Sequence, residues 1–168
     1  EGVPGPVIDR ALTDYGMLMG PIELMDAVGL DICLAASKSM CIDLPEFVTT
    51  MVQAGKLGKK SGSGIYKYSN SGKVIKPKVD HKYKIPTEIA ERIILRLVNE
   101  CAACLREGIV KDADLVDSGL IFGAGFAPFR GGPMQYAADE SKENIKARLA
   151  KLASVYGERF APDPWWSK

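Results

Sequence analysis

Apolar residues recur at helical spacing along most of the chain. Ile8, Ala11 and Leu12 mark the inner face of a helix expected over 6–13. Ile22, Met25 and Gly29 share a face of the next helix, with Leu24 and Val28 beside them. Gly20 permits a tight backbone there, and Pro21 fits a first turn that tolerates a missing N–H. Gly29 ends that helix, and Asp31 is expected to cap the following one, over 31–40. Asp43-Leu-Pro-Glu46 reads as a variant capping box, with Asp43 at the cap. Leu44, Phe47, Val48, Met51 and Val52 then keep helical spacing up to Gly55.

The period changes at 65–68, where Ile-Tyr-Lys-Tyr alternates like a strand. A turn over 69–72 and a return at Val74-Ile75 make a short hairpin. Residues 77–87 are polar and lysine-rich and read as a linker. Thr87 is expected to cap a long helix over 88–107. Its stripe is Ile89, Ile93, Leu97, Cys101 and Cys104, widened by Ile94, Val98 and Leu105, and Gly108 ends it. Residues 123–132, GAGFAPFRGG, form a bend with Phe126 and Phe129 buried and Arg130 reaching a carbonyl or carboxylate. A final amphipathic helix over 144–156 turns Ile145, Leu149, Leu152 and Val155 inward, and Asp163-Pro-Trp-Trp166 is a tail that docks by its aromatics.

Parts of the pattern occur twice. Gly20-Pro21 recurs as Gly132-Pro133, Glu1-Gly2 as Glu107-Gly108, and Asp9 in VIDRAL as Asp117 in LVDSGL. The interval exceeds any solenoid unit, so it predicts a duplicated subdomain. The expected fold is mainly α, in two similar helical subdomains with one short β-hairpin. Residues 1–76 form the first copy, 77–87 the linker and 88–168 the second copy. A long helix precedes the repeat in the second copy and nothing precedes it in the first. The chain is therefore expected to begin just after a helix of its first copy.

Composition narrows the function little. With 168 residues, 46% of them hydrophobic, the chain can bury a core, and a net charge of +1 implies neither nucleic acid nor an anionic membrane. No apolar run approaches the ~18 residues of a membrane span, and the opening residues carry no signal-peptide pattern. Cys33, Cys41, Cys101 and Cys104 are expected to be buried reduced thiols, which points to a reducing compartment. Cys101 and Cys104 have C-x-x-C spacing but lie mid-helix without the strand a redox motif needs.

The candidate chemistry is thin. The loop 55–64, GKLGKKSGSG, is not a P-loop, because Lys60 intrudes before Ser61 and the loop follows a helix. Lys56, Lys59 and Lys60 either face an anion or line a solvated tight turn. His81, the only histidine, has no visible catalytic or metal partner. Asp112, Asp114 and Asp117 fail the calcium-loop pattern and are expected to cap a helix or lie at the surface. Met17, Met19 and Pro21 stand at the mouth of the bend before the second helix. Flexible thioethers there suit a variable apolar partner, or else fill the core. No nucleophile–base pair, carboxylate pair or metal cluster emerges, which favours a binding or assembly role.

The stretch GMLMGPIELMDAVGLD, followed by AGKLGKKSGSGIYKY, resembles the C-terminal domain of 3-hydroxyacyl-CoA dehydrogenases. The later stretch RLVNECAACLREGIVKDADLVDSGLIFGAGFAPFRGGP is similar to the duplicated half found in multifunctional fatty-acid β-oxidation enzymes. The resemblance implies the helical fold shared with 6-phosphogluconate dehydrogenase C-terminal domains. It also implies a parent enzyme that oxidises (3S)-hydroxyacyl-CoA with NAD in fatty-acid metabolism, fused to an enoyl-CoA hydratase. In the family a Rossmann domain holds NAD and supplies a His–Glu pair, while the helical domain closes the acyl pocket and makes subunit contacts. An Asn-Arg pair on the domain's first helix approaches the substrate carbonyl.

This sequence departs from the whole pattern. It contains no G-x-G-x-x-G after a strand, and His81 does not match the family histidine. The Asn-Arg helix would precede Glu1, and the second copy has Glu91-Arg92 at that place. What carries over is the pocket wall, Met19, Gly20, Pro21 and Leu24, as substrate-binding residues. The chain alone is expected to be inactive, to bind no NAD and no metal, and to carry no catalytic residue. Expected partners are the acyl-CoA substrate, its own Rossmann domain, and a homodimer mate or a thiolase subunit. The expected location is the bacterial cytoplasm, with mitochondrion and peroxisome as alternatives; the ending Trp-Ser-Lys168 is not the peroxisomal signal. The rival readings are a free-standing helical module that binds acyl-CoA or protein without catalysis, and a dehydrogenase of another hydroxy acid.

Overall fold

The computed structural model of the chain describes residues 2–79, 83, 86 and 88–167. The described residues are mainly helical with one short hairpin, and the chain divides into two units. The first comprises Glu1–Thr13 and Met19–Lys84, the second Asp14–Leu18 and Ile85–Lys168. The expected cap Thr87 and the lone His81 lie outside the described residues. Among those described, no helix is long and apolar enough to cross a membrane.

Helix α1 (Gly5–Tyr15), which belongs to the first unit up to Thr13, turns Val7, Asp9 and Leu12 inward. Ile8 and Ala11, expected inside, are only half-buried. The face is centred one residue away, because Asp9 is drawn into the core by partners described below. Helix α2 (Pro21–Val28) starts at Gly20-Pro21 and stops at Gly29, and α3 (Leu30–Ser39) follows at once. Gly29 itself precedes α3, so Asp31 falls in the first turn and caps nothing; it pairs instead with Lys60 at 2.7 Å. Helix α4 (Glu46–Gln53) begins after Pro45, with no side-chain cap. Asp43 lies too far upstream to reach its amides, and the expected capping box does not form. Within α4 only Val48 is buried, while Phe47 is exposed. A single 3-10 turn, Lys59–Ser61, leads to the hairpin β1 (Lys67–Tyr68) and β2 (Val74–Ile75), antiparallel with Lys67 opposite Ile75.

In the second unit, α5 (Ile89–Arg106) buries Ile89, Ile94, Leu95, Val98, Asn99, Cys101 and Ala102. Its stripe is shifted from the expected one, and Ile93, Leu97 and Cys104 lie at its half-buried border. Helix α6 (Ala113–Ala124) opens on Asp112, whose carboxylate accepts the Leu115 N–H at 2.9 Å. Helices α7 (Pro133–Glu140) and α8 (Lys142–Tyr156) complete the unit. Ile145, Leu149 and Leu152 face inward on α8, but Val155 is exposed, being in the last turn. The tail docks as expected. Asn99 accepts the Asp163 N–H and the Trp166 indole N–H and donates to the Ala161 carbonyl, so Trp166 is buried.

The cysteines are all free thiols. Only Cys101 is buried, and burial pushes its thiol up to about 12. Cys41 is exposed and Cys33 and Cys104 are half-buried, contrary to the expectation for all four.

Candidate functional site

The start of α2 is built from three separate parts of the chain. Pro21 has no N–H, and the next two amides, of Ile22 and Glu23, donate to one oxygen of Asp9 at 2.8 and 3.4 Å. The other Asp9 oxygen accepts the Tyr66 hydroxyl at 2.8 Å and pairs with Lys76 at 3.1 Å. Lys76 also reaches Glu23 at 2.7 Å. Burial alone would lower the Lys76 ammonium, but its bonds to Glu23 and Asp9 outweigh that and hold it above the usual lysine range. Burial and the bond to Asp9 likewise raise the Tyr66 phenol. Gly20 is required at the helix start, since a Cβ there would overlap the Asp9 side chain.

A second buried carboxylate fixes the glycine loop. Asp26, on α2, accepts the Ile65 and Tyr66 N–H groups at 2.8 and 2.7 Å and the Tyr68 hydroxyl at 3.2 Å. Gly58 and Gly64 lie so close that a side chain at either would overlap Asp26. Gly58 and Gly64 of the loop are therefore spent on enclosing Asp26, and Lys60 on Asp31. Asp26, Tyr66 and Tyr68 escaped sequence reasoning. The available signal was a carboxylate on an otherwise apolar helix beside a run of glycines.

The four candidate wall residues share this helix start. Gly20 is buried, Pro21 is half-buried, and the Gly20 carbonyl accepts the Leu24 N–H at 2.9 Å. Met19 and Leu24 remain 37% and 39% exposed, flanking the first turn with apolar surface. Val28 and Ile32 continue the exposed apolar residues along α2 and α3.

The same construction recurs in the second unit. Asp117 accepts the Met134 N–H at 2.7 Å and the Gln135 N–H at 3.0 Å, just after Gly132-Pro133. A side chain at Gly132 would overlap Asp117. Asp117 is thus internal rather than a surface charge, and burial raises its carboxyl despite the two amides that oppose the shift. The resemblance ends at the exposed positions. Tyr136, four residues after Gly132 as Leu24 is after Gly20, is buried against Tyr15 with ring centroids 6.1 Å apart. The pair Glu91-Arg92 is also consumed internally. Glu91 binds Arg148 at 2.8 Å, and Arg92 stacks on Tyr156 at 3.7 Å from the ring centroid.

The bend expected over 123–132 starts only at 125, since α6 runs to Ala124, and one of its two phenylalanines is not buried. Phe126 is fully buried, but Phe129 is 75% exposed, lying in a 3-10 turn against Gly16. Arg130 does reach a carbonyl, that of Tyr15 at 3.3 Å.

The only strands among the described residues are the two-residue pair of the hairpin. The amides at the starts of α2, α6, α7 and α8 are taken by Asp9, Asp112, Asp117 and Ser141. Among the described residues no group of three or more His, Cys, Asp or Glu could hold a metal ion.

Residues 2–68 match the family model of the 3-hydroxyacyl-CoA dehydrogenase C-terminal domain. Over nearly its whole length the chain is similar to fatty acid oxidation complex subunits alpha. It is 35% identical to that of Vibrio vulnificus over 92% of the chain, and 35% identical to that of Idiomarina loihiensis over 97%. It spans about a quarter of the length of these relatives, 24% and 25% respectively. Two solved structures share the fold. The dehydrogenase part of multifunctional enzyme 1 from C. elegans aligns over 99% of this chain and 42% of its own, with TM-score 0.73 and 23% identity. The 3-hydroxybutyryl-CoA dehydrogenase of Escherichia coli aligns over 98% of this chain and 54% of its own, with TM-score 0.76 and 21% identity. The mainly helical fold with one short hairpin is the one expected from the sequence.

Proposed function

We propose that the chain is the acyl-facing wall and assembly region of an NAD-dependent (3S)-3-hydroxyacyl-CoA dehydrogenase of the fatty-acid oxidation alpha-subunit type. Met19, Gly20, Pro21 and Leu24 contact the acyl chain of the substrate. The observation that carries this is a helix start held rigid from behind and apolar in front. Asp9 satisfies the amides of α2, so no anion is attracted there, while Met19 and Leu24 offer hydrocarbon. The residues of this chain bind and orient the acyl group and exclude water from it. Hydride acceptance belongs to NAD held by another part of the parent enzyme, and enoyl-CoA hydratase activity to a further part.

Met19→Glu in the full-length subunit tests the reading. The acyl chain then meets a carboxylate, and KM for 3-hydroxyacyl-CoA rises, more steeply for longer chains. An unchanged KM at every chain length contradicts it.

A further inference from the structure

Between Gly55 and Val79 the sequence carries seven lysines, no arginine and no Asp or Glu, a local excess that the chain's net charge of +1 conceals. The fold divides these lysines. Lys60 pairs with Asp31, and Lys76 with Asp9 and Glu23. Lys56, Lys59, Lys67 and Lys73 are exposed and make no ion pair among the described residues. Lys56 stands apart, at a cavity it shares with Glu46.

Strand alternation sorts the rest. Tyr66, Tyr68 and Lys76 reach inward, to Asp9, Asp26 and Glu23 of α1 and α2. Lys67 lies on the opposite face, paired with Ile75, which is 54% exposed. Lys73 shares that face two residues before Ile75, and its carbonyl accepts the Ser69 N–H at 2.9 Å, which continues the ladder. Lys67 and Lys73 are thus diagonal neighbours, about 7–8 Å apart. Bridges from Gly58 to Ser63 and from Ser63 to Lys67 lay the glycine loop beside β1. Lys59 of that loop runs along the hairpin turn, its Cε 3.4 Å from where a Cβ on Gly72 would stand. Three ammonium groups therefore surround one exposed isoleucine on the side of the hairpin turned away from α2. Like charges so placed repel, and an anionic partner relieves the repulsion.

We infer that this outer face, Lys59, Lys67 and Lys73 around Ile75, is an interaction surface for an anionic lipid bilayer. The composition selects that partner. Lysine is a point charge suited to the diffuse field of many headgroups, whereas a phosphate pocket or a nucleic-acid groove draws on the planar fork of arginine, which the segment lacks. Both tyrosines of the hairpin turn inward, so no ring is offered to stack a base. An apolar side chain flanked by lysines enters the headgroup boundary while the ammonium groups stay at the phosphates. The surface lies across the hairpin from α2, so the inference stands apart from the dehydrogenase reading.

The test titrates the 168-residue chain with vesicles of phosphatidylcholine alone and of an equal mixture of phosphatidylcholine and phosphatidylglycerol, with co-sedimentation as the readout. Binding is expected to the mixed vesicles only, and it weakens as salt is raised. Lys59→Gln, Lys67→Gln and Lys73→Gln each lower the partition constant about fivefold, and the three together about a hundredfold. Lys111→Gln, at an exposed lysine of the second unit, leaves it within about twofold. Should the triple variant not fold, the single variants are read in the same way. No binding, equal binding to both vesicle types, variants that bind like the wild type, or an equal loss in Lys111→Gln overturns the inference. So does tighter binding of a DNA duplex or of polyglutamate at the same salt, which assigns the face to another anion.

Discussion

The Asp9 carboxylate accepts the backbone N–H of Ile22 at 2.8 Å, joining α1 to the first turn of α2 across thirteen residues. It is 1% exposed and serves two amides, a phenol and an ammonium. Asp9→Ala leaves those groups buried without their acceptor and is expected to cost about 3–5 kcal/mol. Chemical denaturation measures it. A loss below about 1 kcal/mol contradicts the assignment of Asp9 as the fastening of this helix.

The glycines separate two kinds of position. Gly20→Ala drives a methyl group into Asp9, and Gly132→Ala drives one into Asp117 at a left-handed φ of +111°. Each is expected to destabilise by about 2–4 kcal/mol. Gly119→Ala, in the interior of α6 with open space around it, is expected to stabilise by up to about 1 kcal/mol. Thermal melts of the three variants check the ordering, and a neutral Gly20→Ala contradicts it.

Much of this arrangement was legible in the sequence. The Gly-Pro pairs marked both helix starts, and the matched Asp9 and Asp117 proved to hold them in the same way. The pairing was visible, but not its purpose, because the amides that use it lie 13 and 17 residues away. Asp26 was hidden more deeply, since its partners are 39 and 40 residues on, and a carboxylate on a helix ordinarily reads as solvated surface. Local rules also misled. Asp43 has the composition of a cap but stands two residues before Pro45, the residue that actually precedes the helix. Phe129 and Val155 keep the apolar spacing but sit in a 3-10 turn and a final helical turn, beyond the packed part of each segment.

The phenols set an alkaline limit. Burial raises Tyr15 to about 12 and raises Tyr66 and Tyr68 as well. Their folded values exceed the unfolded value of about 10, so the stability they contribute is present below pH 10 and lost as pH rises through the folded values. The denaturation midpoint is expected to fall steeply above about pH 10, with the tyrosinate absorbance of Tyr15, Tyr66 and Tyr68 delayed until unfolding. A full tyrosinate signal at pH 10–11 in folded protein contradicts this.

The tail offers an isolated probe. Trp165 and Trp166 are the only two tryptophans, and Asn99 binds the tail at Ala161, Asp163 and Trp166. Asn99→Ala is expected to cost about 2–4 kcal/mol and to shift tryptophan emission to the red as Trp166 becomes wet. Unshifted emission contradicts the tail's dependence on Asn99.

The central claim is that this chain supplies a wall for the acyl group while hydride transfer is carried out elsewhere in the parent. The most direct measurement is NADH production by the purified 168-residue chain, supplied with NAD and a (3S)-3-hydroxyacyl-CoA. The account predicts no NADH above the enzyme-free control, and full activity from the complete subunit under the same conditions. Turnover by the chain alone contradicts it.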